Sequence, residues 1–312
     1  MSDKLVDYLR DLLCNEKRII GITNAIFQEK YVAISLSEFT EEKVKTLWAN
    51  LVFKLSSANL VKGIPNMPIS KINQKTFAIW IKDFKLICLS SISDLTEYSL
   101  TEIQKPILPP FISLAIGGLS GVGKTRLIKQ FRSSIIGHRI EQNVFFTTRP
   151  QRKNEVDEVD YFFVKPEKIN LYRDNPRFIN FVEARGFWYW SDSIPMFESR
   201  WNKKNAIYIS TITQVHEFVE RRKIFPDLLW IWLNAEDQEI KRRLQQRGDT
   251  CFEIEQSLEH NKKIKNQNRT GLVSLEISMD LPNSDKPLQK LLNFIKKIER
   301  RKDDERYSDS MQ

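Results

Sequence analysis

Glycine is scarce in this chain. Only 10 of the 312 residues are glycine, about 3% against the roughly 7% of ordinary proteins. Four of the ten, Gly117, Gly118, Gly121 and Gly123, fall within seven residues. Glycine is needed where the backbone takes unusual dihedral angles or approaches another group closely. The composition therefore excludes collagen-like repeats, and it marks residues 117–123 as a place where backbone conformation matters.

Cysteine, histidine and long apolar runs are also sparse. The three cysteines, Cys14, Cys88 and Cys251, show no C-x-x-C spacing, and the three histidines form no ligand pattern. This excludes a disulfide scaffold and structural zinc. No apolar run approaches the roughly 18 residues of a membrane span, and the polar amino terminus is unlike a signal peptide. We therefore expect a cytoplasmic protein without a membrane partner.

Charge and overall composition favour a folded protein with anionic partners. Lysine and arginine total 49 against 40 acidic residues, which gives a formal charge of +9. Hydrophobic residues at 41% and charged residues at 29% exclude wholesale disorder. The positive balance alone does not choose between nucleotides, nucleic acid and mere solubility.

A proline cluster divides the chain. Three prolines within residues 104–110 break any helix or central strand, which predicts a domain boundary there. Residues 1–105 read as a separate mixed α+β domain, with helices at 5–13 and 41–53 and strands near 77–81 and 86–90. This domain carries no catalytic cluster, so a regulatory, an oligomerisation and a substrate-recruiting role all stay open, as does the oligomeric state.

Beyond the boundary, short apolar runs alternate with helical stretches. Residues 111–302 predict buried strands at 111–116, 143–146, 206–210, 228–233 and 273–277, and helices near 235–247, 252–266 and 286–301. This alternation is typical of a parallel sheet covered by helices on both faces. Residues 303–312 form a polar tail of mixed charge. Trp230 and Trp232 alternate within a predicted buried strand, so we expect them in the core.

The clustered glycines belong to a phosphate-binding pattern. Residues 118–125 satisfy G-x-x-x-x-G-K-[ST] between a predicted strand and a predicted helix. Backbone N–H groups and the helix N-terminus cradle phosphates. Lys124 supplies a charge for the β- and γ-phosphates, and the Thr125 hydroxyl is a Mg²⁺ ligand. The predicted ATP-binding residues are Gly118, Ser120, Gly121, Val122, Gly123, Lys124 and Thr125.

A second motif begins 23 residues after Lys124. Residues 147–164 read T-T-R-P-Q-R-K-N-E-V-D-E-V-D-Y-F-F-V, which resembles the T-T-R-x-x-R-x-x-E-x-x-G-x-D-Y-x-F-V stretch of the guanylate kinase family. The resemblance implies that Arg149, Arg152 and Tyr161 hold the phosphate of an acceptor monophosphate. Two arginines and a tyrosine hydroxyl suit this task, because guanidinium groups bind phosphate with fork geometry.

The resemblance extends over residues 111–300. Residues 178–191 look like the family's F-[LI]-E-W-A…G-x-x-Y-G-[ST] segment, which places Tyr189 and Ser191 at the acceptor. Residues 243–248 are similar to the R-L-x-x-R-G that starts the family's lid, which implies that Arg243 and Arg247 act with Lys124 on the transferring phosphoryl group. The implied fold is a three-layer P-loop nucleoside-monophosphate-kinase-like α/β sheet with a lid within 245–265.

The base-reading positions depart from the family. The family reads guanine with a serine and a glutamate, and this chain has Phe145 and Asn180 there. An asparagine does not repeat a bidentate carboxylate contact, and each lost buried hydrogen bond costs about 1–3 kcal/mol. Family glycines are replaced by Glu158 and Trp190, and Trp190 would narrow or fill the pocket. The phosphate contacts are kept while the base contacts are lost.

These features predict a phosphotransferase that uses ATP and Mg²⁺ to phosphorylate a small monophosphate acceptor other than GMP, either a nucleotide or a sugar phosphate. Asn180 is expected to touch that acceptor. Two alternatives stay open. One is a catalytically weak module that binds a phosphorylated partner, as in the guanylate kinase-like domains of scaffolds. The other is a nucleic-acid end kinase, for which salt-dependent oligonucleotide binding would be the signature.

Overall fold

The computed structural model describes residues 5, 7–13, 22–27, 31–61, 67, 69–81, 84–91, 111–152, 155–175, 177–195, 206–280 and 284–309. The chain forms two compact units. The first comprises Met1–Phe111, Asn143–Asn205 and Glu220–Asp227, and the second comprises Ile112–Gln142, Ala206–Val219 and Leu228–Gln312. The predicted division at residues 105–111 stays a prediction, because residues 92–110 lie outside the described part.

The first unit contains a five-stranded mixed sheet in the order β1-β2-β5-β4-β3. Its strands are β1 Ile22–Phe27, β2 Tyr31–Leu36, β3 Ile69–Asn73, β4 Thr76–Ile81 and β5 Phe84–Leu89. Only the β2–β5 pair is parallel among the pairs of this sheet. The predicted strands near 77 and 86 are confirmed as β4 and β5, and β1, β2 and β3 were not predicted.

Helix α1, Glu41–Ser57, accompanies this sheet and runs four residues beyond its predicted end. The Thr40 hydroxyl caps its first turn by accepting from the Lys43 N–H at 3.2 Å. Two acidic residues follow in the first turn, where they complement the helix dipole. Residues 7–13 are also helical, as predicted. In the sequence Ser2 is placed to cap the helix predicted at 5–13, but it lies outside the described residues.

A second, four-stranded sheet of the first unit has the order β10-β11-β8-β9. Its strands are β8 Phe146–Thr147, β9 Phe162–Phe163, β10 Phe178–Ala184 and β11 Phe187–Asp192, with helix α3 Ile169–Arg173 between β9 and β10. The strand predicted at 143–146 is wrong in position, because residues 143–145 are irregular and β8 begins at Phe146. Two-residue strands have too few residues to show a period.

The second unit is built on a five-stranded sheet in the order β14-β13-β6-β12-β7. Its strands are β6 Phe111–Gly118, β7 Ile140–Gln142, β12 Ala206–Thr211, β13 Leu228–Asn234 and β14 Val273–Ser278. The β13–β6, β13–β14 and β12–β7 pairs are parallel. All eight residues of β6 are buried, and alternate residues point to opposite faces, so both faces are covered. The predicted three-layer α/β architecture is therefore confirmed.

Five described helices have residues in this unit: α2 Lys124–Arg132, α4 Val215–Ile224, α5 Asp237–Gln246, α6 Cys251–Lys265 and α7 Lys286–Asp309. Helix α7 packs against β14 and α2, and α5 packs against α6. The predicted helices at 235–247 and 252–266 are confirmed. Helix α7 continues beyond its predicted end at residue 301 and so includes residues 303–309 of the predicted polar tail. Trp230 and Trp232 are buried in the core as expected.

Candidate functional site

The phosphate loop connects the end of β6 to the start of α2. Gly118, Gly121 and Gly123 have φ angles of 140°, 84° and 110°, in the region that side chains rarely adopt. Gly123 is the N-cap of α2 and offers no side-chain cap bond, which leaves the first N–H groups of the helix to an anion. The loop therefore fits a chain of phosphates, and the predicted donor-site residues lie on one continuous turn.

Lys124 lies at the centre of this loop. Its ammonium donates to the carbonyl oxygens of Gly118 at 2.7 Å and Leu119 at 2.9 Å. The side chain thus folds back across the loop that it follows. Thr125, the predicted Mg²⁺ ligand, is exposed in the first turn of α2. No group of histidine, cysteine and acidic residues suited to hold a metal occurs in the described part of the chain.

Gly117 serves packing rather than the loop itself. A Cβ atom at this position would lie 2.4 Å from Nε1 of Trp230 and 2.8 Å from the carbonyl oxygen of Ile212. Those two groups are joined by a hydrogen bond of 3.1 Å in which the indole N–H donates. The strand can pass beside Trp230 only if residue 117 has no side chain.

Arg243 braces the phosphate loop from helix α5. One guanidinium nitrogen donates to the Val122 carbonyl oxygen at 2.7 Å, another donates to the Met279 carbonyl oxygen, and Nε donates to Glu239 at 2.7 Å. The side chain is 15% exposed. The structure therefore places the predicted catalytic Arg243 beside the loop, where its guanidinium donates to the backbone carbonyl oxygen of Val122.

Arg247 is engaged separately, at the end of the same helix. Its guanidinium forms a two-point ion pair with Asp249, in which Nε lies 2.7 Å from Oδ1. The Arg247 side chain is one-third exposed, and that of Asp249 is nearly buried. The role of both arginines at the transferring group stays a prediction.

Asn261 of helix α6 contacts the phosphate loop as well. Its Oδ1 accepts from the Ser120 N–H at 2.8 Å, and its Nδ2 donates to the Ser120 carbonyl oxygen at 3.1 Å. The sequence offers no signal for this pair, because Asn261 lies among charged residues of a helix 141 positions away.

The predicted acceptor residues Arg149, Tyr161 and Tyr189 come together in the first unit. The Arg149 guanidinium lies 5.3 Å from the centre of the Tyr161 ring, and the Tyr161 and Tyr189 rings are 6.0 Å apart. Arg149 is buried. Burial is also the largest cause of the raised pKa of Tyr161, followed by the nearby Tyr189. The phenol therefore stays protonated and can act as a hydrogen-bond donor.

Glu155 neutralises part of this cluster. Its Oε1 lies 2.8 Å from NH2 of Arg149 and 3.6 Å from NH1 of Arg152, while its Oε2 accepts from the Arg152 N–H at 2.9 Å. Burial by itself raises the pKa of Glu155, but the hydrogen bonds and charges of the two arginines outweigh it and lower the pKa. The two predicted phosphate-binding arginines are thus held together by one carboxylate.

Ser191 and Asn180 have different surroundings. Ser191 is fully buried, and its Oγ accepts from Nδ2 of Asn143 at 3.1 Å, a partner that sequence reasoning missed. Asn180 has a φ of 60° beside an irregularity in the β10–β11 pairing between Ile179 and Val182. Asparagine tolerates this left-handed conformation better than most residues. Among the described residues, the buried Nδ2 of Asn180 has no hydrogen-bond partner.

Trp190 packs into an aromatic cluster, and the expectation that it narrows or fills the acceptor pocket stays a prediction. The indole is buried, with Phe146 and Phe181 stacked on it at 5.7 and 5.5 Å and Tyr172 tilted against it at 5.1 Å. Neighbouring residues of a strand point to opposite faces, so Trp190 and Tyr189 face opposite sides of the sheet. Trp190 thus packs on the face of β11 opposite to Tyr189.

Known proteins resemble part of this chain. The family model for guanylate kinase matches residues 113–297. Guanylate kinases of Streptococcus agalactiae and Streptococcus mutans are 30% and 31% identical to it over 142 residues, which cover 45% of this chain. The chain spans 66% of the length of these relatives.

Among the described residues, no helix is long and apolar enough to cross a membrane. The guanylate kinase of Anaplasma phagocytophilum aligns with a TM-score of 0.42 at 16% identity, covering 62% of this chain and 86% of that chain. A gluconokinase of Sinorhizobium meliloti aligns with a TM-score of 0.35 at 12% identity, covering 60% and 93%. Because the family match covers more than half of its residues, this chain belongs to the guanylate kinase family.

Proposed function

We propose that this chain transfers the γ-phosphate of ATP to a monophosphate acceptor other than GMP. The observation that carries the proposal is the complete phosphate loop, Gly118–Thr125, whose left-handed glycines and uncapped helix start suit a phosphate chain. The family to which the chain belongs supports the same activity.

The donor half of the reaction depends on the loop and on Lys124. When bound, MgATP supplies the phosphoryl group and the positive charge of the metal ion. The loop N–H groups would orient the donor phosphates, and the Thr125 hydroxyl would hold the cation. Lys124 exchanges its two carbonyl partners, Gly118 and Leu119, for phosphate oxygens. Its ammonium then stabilises the negative charge that develops during transfer.

The acceptor half depends on Arg149, Arg152, Tyr161 and Tyr189. The arginines bind the acceptor phosphate with charge-assisted hydrogen bonds, and the two phenols donate further ones. The rings of Phe163 and Tyr161 flank the Arg149 guanidinium at 5.6 and 5.3 Å. These contacts fix its orientation, because cations are attracted to aromatic faces.

Selectivity for an acceptor other than GMP rests on Phe145 and Asn180. Neither side chain offers the carboxylate that accepts from two neighbouring N–H donors of guanine. We expect a different or modified nucleotide, or a sugar phosphate.

Steady-state assays of ADP release test the proposal. The acceptors are AMP, GMP, CMP, UMP, their deoxy forms and ribose phosphates, each with MgATP at saturation. The expected result is turnover of one acceptor with kcat/KM well above that for GMP. Efficient turnover of GMP above all others would contradict it.

A non-catalytic module that binds a phosphorylated partner is the second candidate. Arg243 and Arg247 favour it, because the bonds to Glu239, Val122 and Asp249 occupy side chains that transfer would need. Calorimetry with MgATP separates the two. If the wild type binds MgATP and Lys124→Ala does not, the result supports the kinase. If neither the wild type nor Lys124→Ala binds MgATP, the result supports the module.

A further inference from the structure

The contact between Asn261 and Ser120 joins helix α6 to the phosphate loop with two hydrogen bonds. The amide of Asn261 presents an acceptor and a donor side by side, just as a backbone peptide does. Both are used, at 2.8 Å to the Ser120 N–H and 3.1 Å to the Ser120 carbonyl oxygen. One side chain therefore fixes Ser120, one of the two residues between Gly118 and Gly121.

Asn261 is buried deeply for a polar residue on a charged helix. It is 4% exposed and lies on the buried face of α6 with Ile254, Ser257 and Ile264. Burial of an amide is costly unless its hydrogen bonds are made. An apolar residue would pack on this face without that cost, so the amide is explained by its contact with the loop.

The loop needs such a support. Its glycines give the backbone many accessible conformations, and a flexible loop loses entropy when it closes on a ligand. Arg243 holds the Val122 carbonyl oxygen from α5, and Asn261 holds the residue two positions earlier from α6. The loop is thus braced from two helices, and α6, Cys251–Lys265, lies within the residues of the predicted lid.

We infer that Asn261 is a positioning residue that presets the phosphate loop for the donor phosphates through Ser120. This inference rests on the proposed function for the nature of the ligand. It assigns Asn261 no contact with ATP or with the acceptor.

The test compares Asn261→Ala and Asn261→Asp with Ile264→Val in the full chain. Asn261→Ala removes both bonds. Asn261→Asp keeps an acceptor for the Ser120 N–H but sets an oxygen against the Ser120 carbonyl. Ile264→Val perturbs the packing of the same buried face without touching a hydrogen bond. Two readouts are recorded: hydrogen exchange of residues 118–124 without ligand, and affinity for the magnesium complex of a non-hydrolysable ATP analogue.

We expect both Asn261 variants to exchange loop amides about tenfold faster and to bind the analogue about tenfold more weakly, as the loss of one or two hydrogen bonds implies. Ile264→Val should match the wild type in both readouts. The inference would be overturned if the loop amides of Asn261→Ala exchanged at the wild-type rate. It would also be overturned if the effects of Ile264→Val equalled those of Asn261→Ala. If the wild type binds no analogue, the proposed function fails, and the exchange data still decide whether Asn261 positions the loop.

Discussion

Glu155 and Arg149 form an ion pair of 2.8 Å in which the side chains are only 17% and 7% exposed. Both partners lie in the motif of the proposed acceptor site, and under the proposed function the pair would set the charge that an acceptor phosphate meets. Removing one partner of a pair with little exposure leaves the other charge poorly compensated, which costs more than the pair is worth at the surface.

Glu155→Gln is expected to lower the unfolding free energy at pH 7 by about 1–3 kcal/mol. The pKa of Glu155 is lowered in the folded state. Its contribution is therefore present above the ordinary pKa of the carboxyl and disappears as the pH falls through the lowered value. Urea unfolding between pH 7 and pH 3 should show the difference between wild type and Glu155→Gln shrinking below about pH 4.5. The exposed Glu167→Gln is the control. A difference that does not change with pH would contradict the ion-pair explanation.

Gly117→Ala is expected to destabilise the second unit by about 1–3 kcal/mol, because the new Cβ meets Trp230 and the Ile212 carbonyl with no room to move. Gly271→Ala is the matched control. Its Cβ would enter open space, but its φ of 73° gives a penalty of about 1 kcal/mol. Urea unfolding followed by tryptophan fluorescence measures both. A loss in Gly117→Ala no larger than that in Gly271→Ala would show that the approach of Trp230 does not account for the glycine at 117.

Arg243→Met is expected to weaken MgATP binding and lower stability by about 1–3 kcal/mol, because the Val122 and Met279 carbonyls lose their donor. Arg242→Ala is the control: the neighbouring arginine also bonds Glu239, but its side chain is 43% exposed. We expect its effect to stay within about 0.5 kcal/mol. Calorimetry and thermal unfolding measure the two quantities. A loss of turnover without any loss of stability would instead place Arg243 at the transferring group.

The phosphate loop could be predicted from the sequence because its signal is local. Eight consecutive residues specify the turn, the helix start and the lysine, and the structure adds only their angles. The side chains that hold the loop and the acceptor residues could not be predicted in this way. Asn261 and Asn143 find their partners 141 and 48 residues away, and neither lies in a pattern that distinguishes it from a solvated polar residue.

The four-stranded sheet β10-β11-β8-β9 could not be predicted from the sequence for a different reason. Strands β8 and β9 have two residues each, and β10 departs from regular pairing at Asn180, so alternation is interrupted. The aromatic run Phe187–Trp190 was a usable signal for β11, since aromatic residues favour strands.

The double variant Phe145→Ser, Asn180→Glu tests whether base recognition was lost at these two positions. The glutamate accepts from two donors of guanine and the serine adds a further hydrogen bond, so kcat/KM for GMP should rise at least tenfold relative to that for the best natural acceptor. Glutamate at a φ of 60° costs about 1 kcal/mol, so thermal unfolding must accompany the kinetics. The single variant Phe145→Ser, which keeps Asn180, is the matched control and should gain less. An unchanged ratio in a folded double variant would mean that residues other than Phe145 and Asn180 select the acceptor.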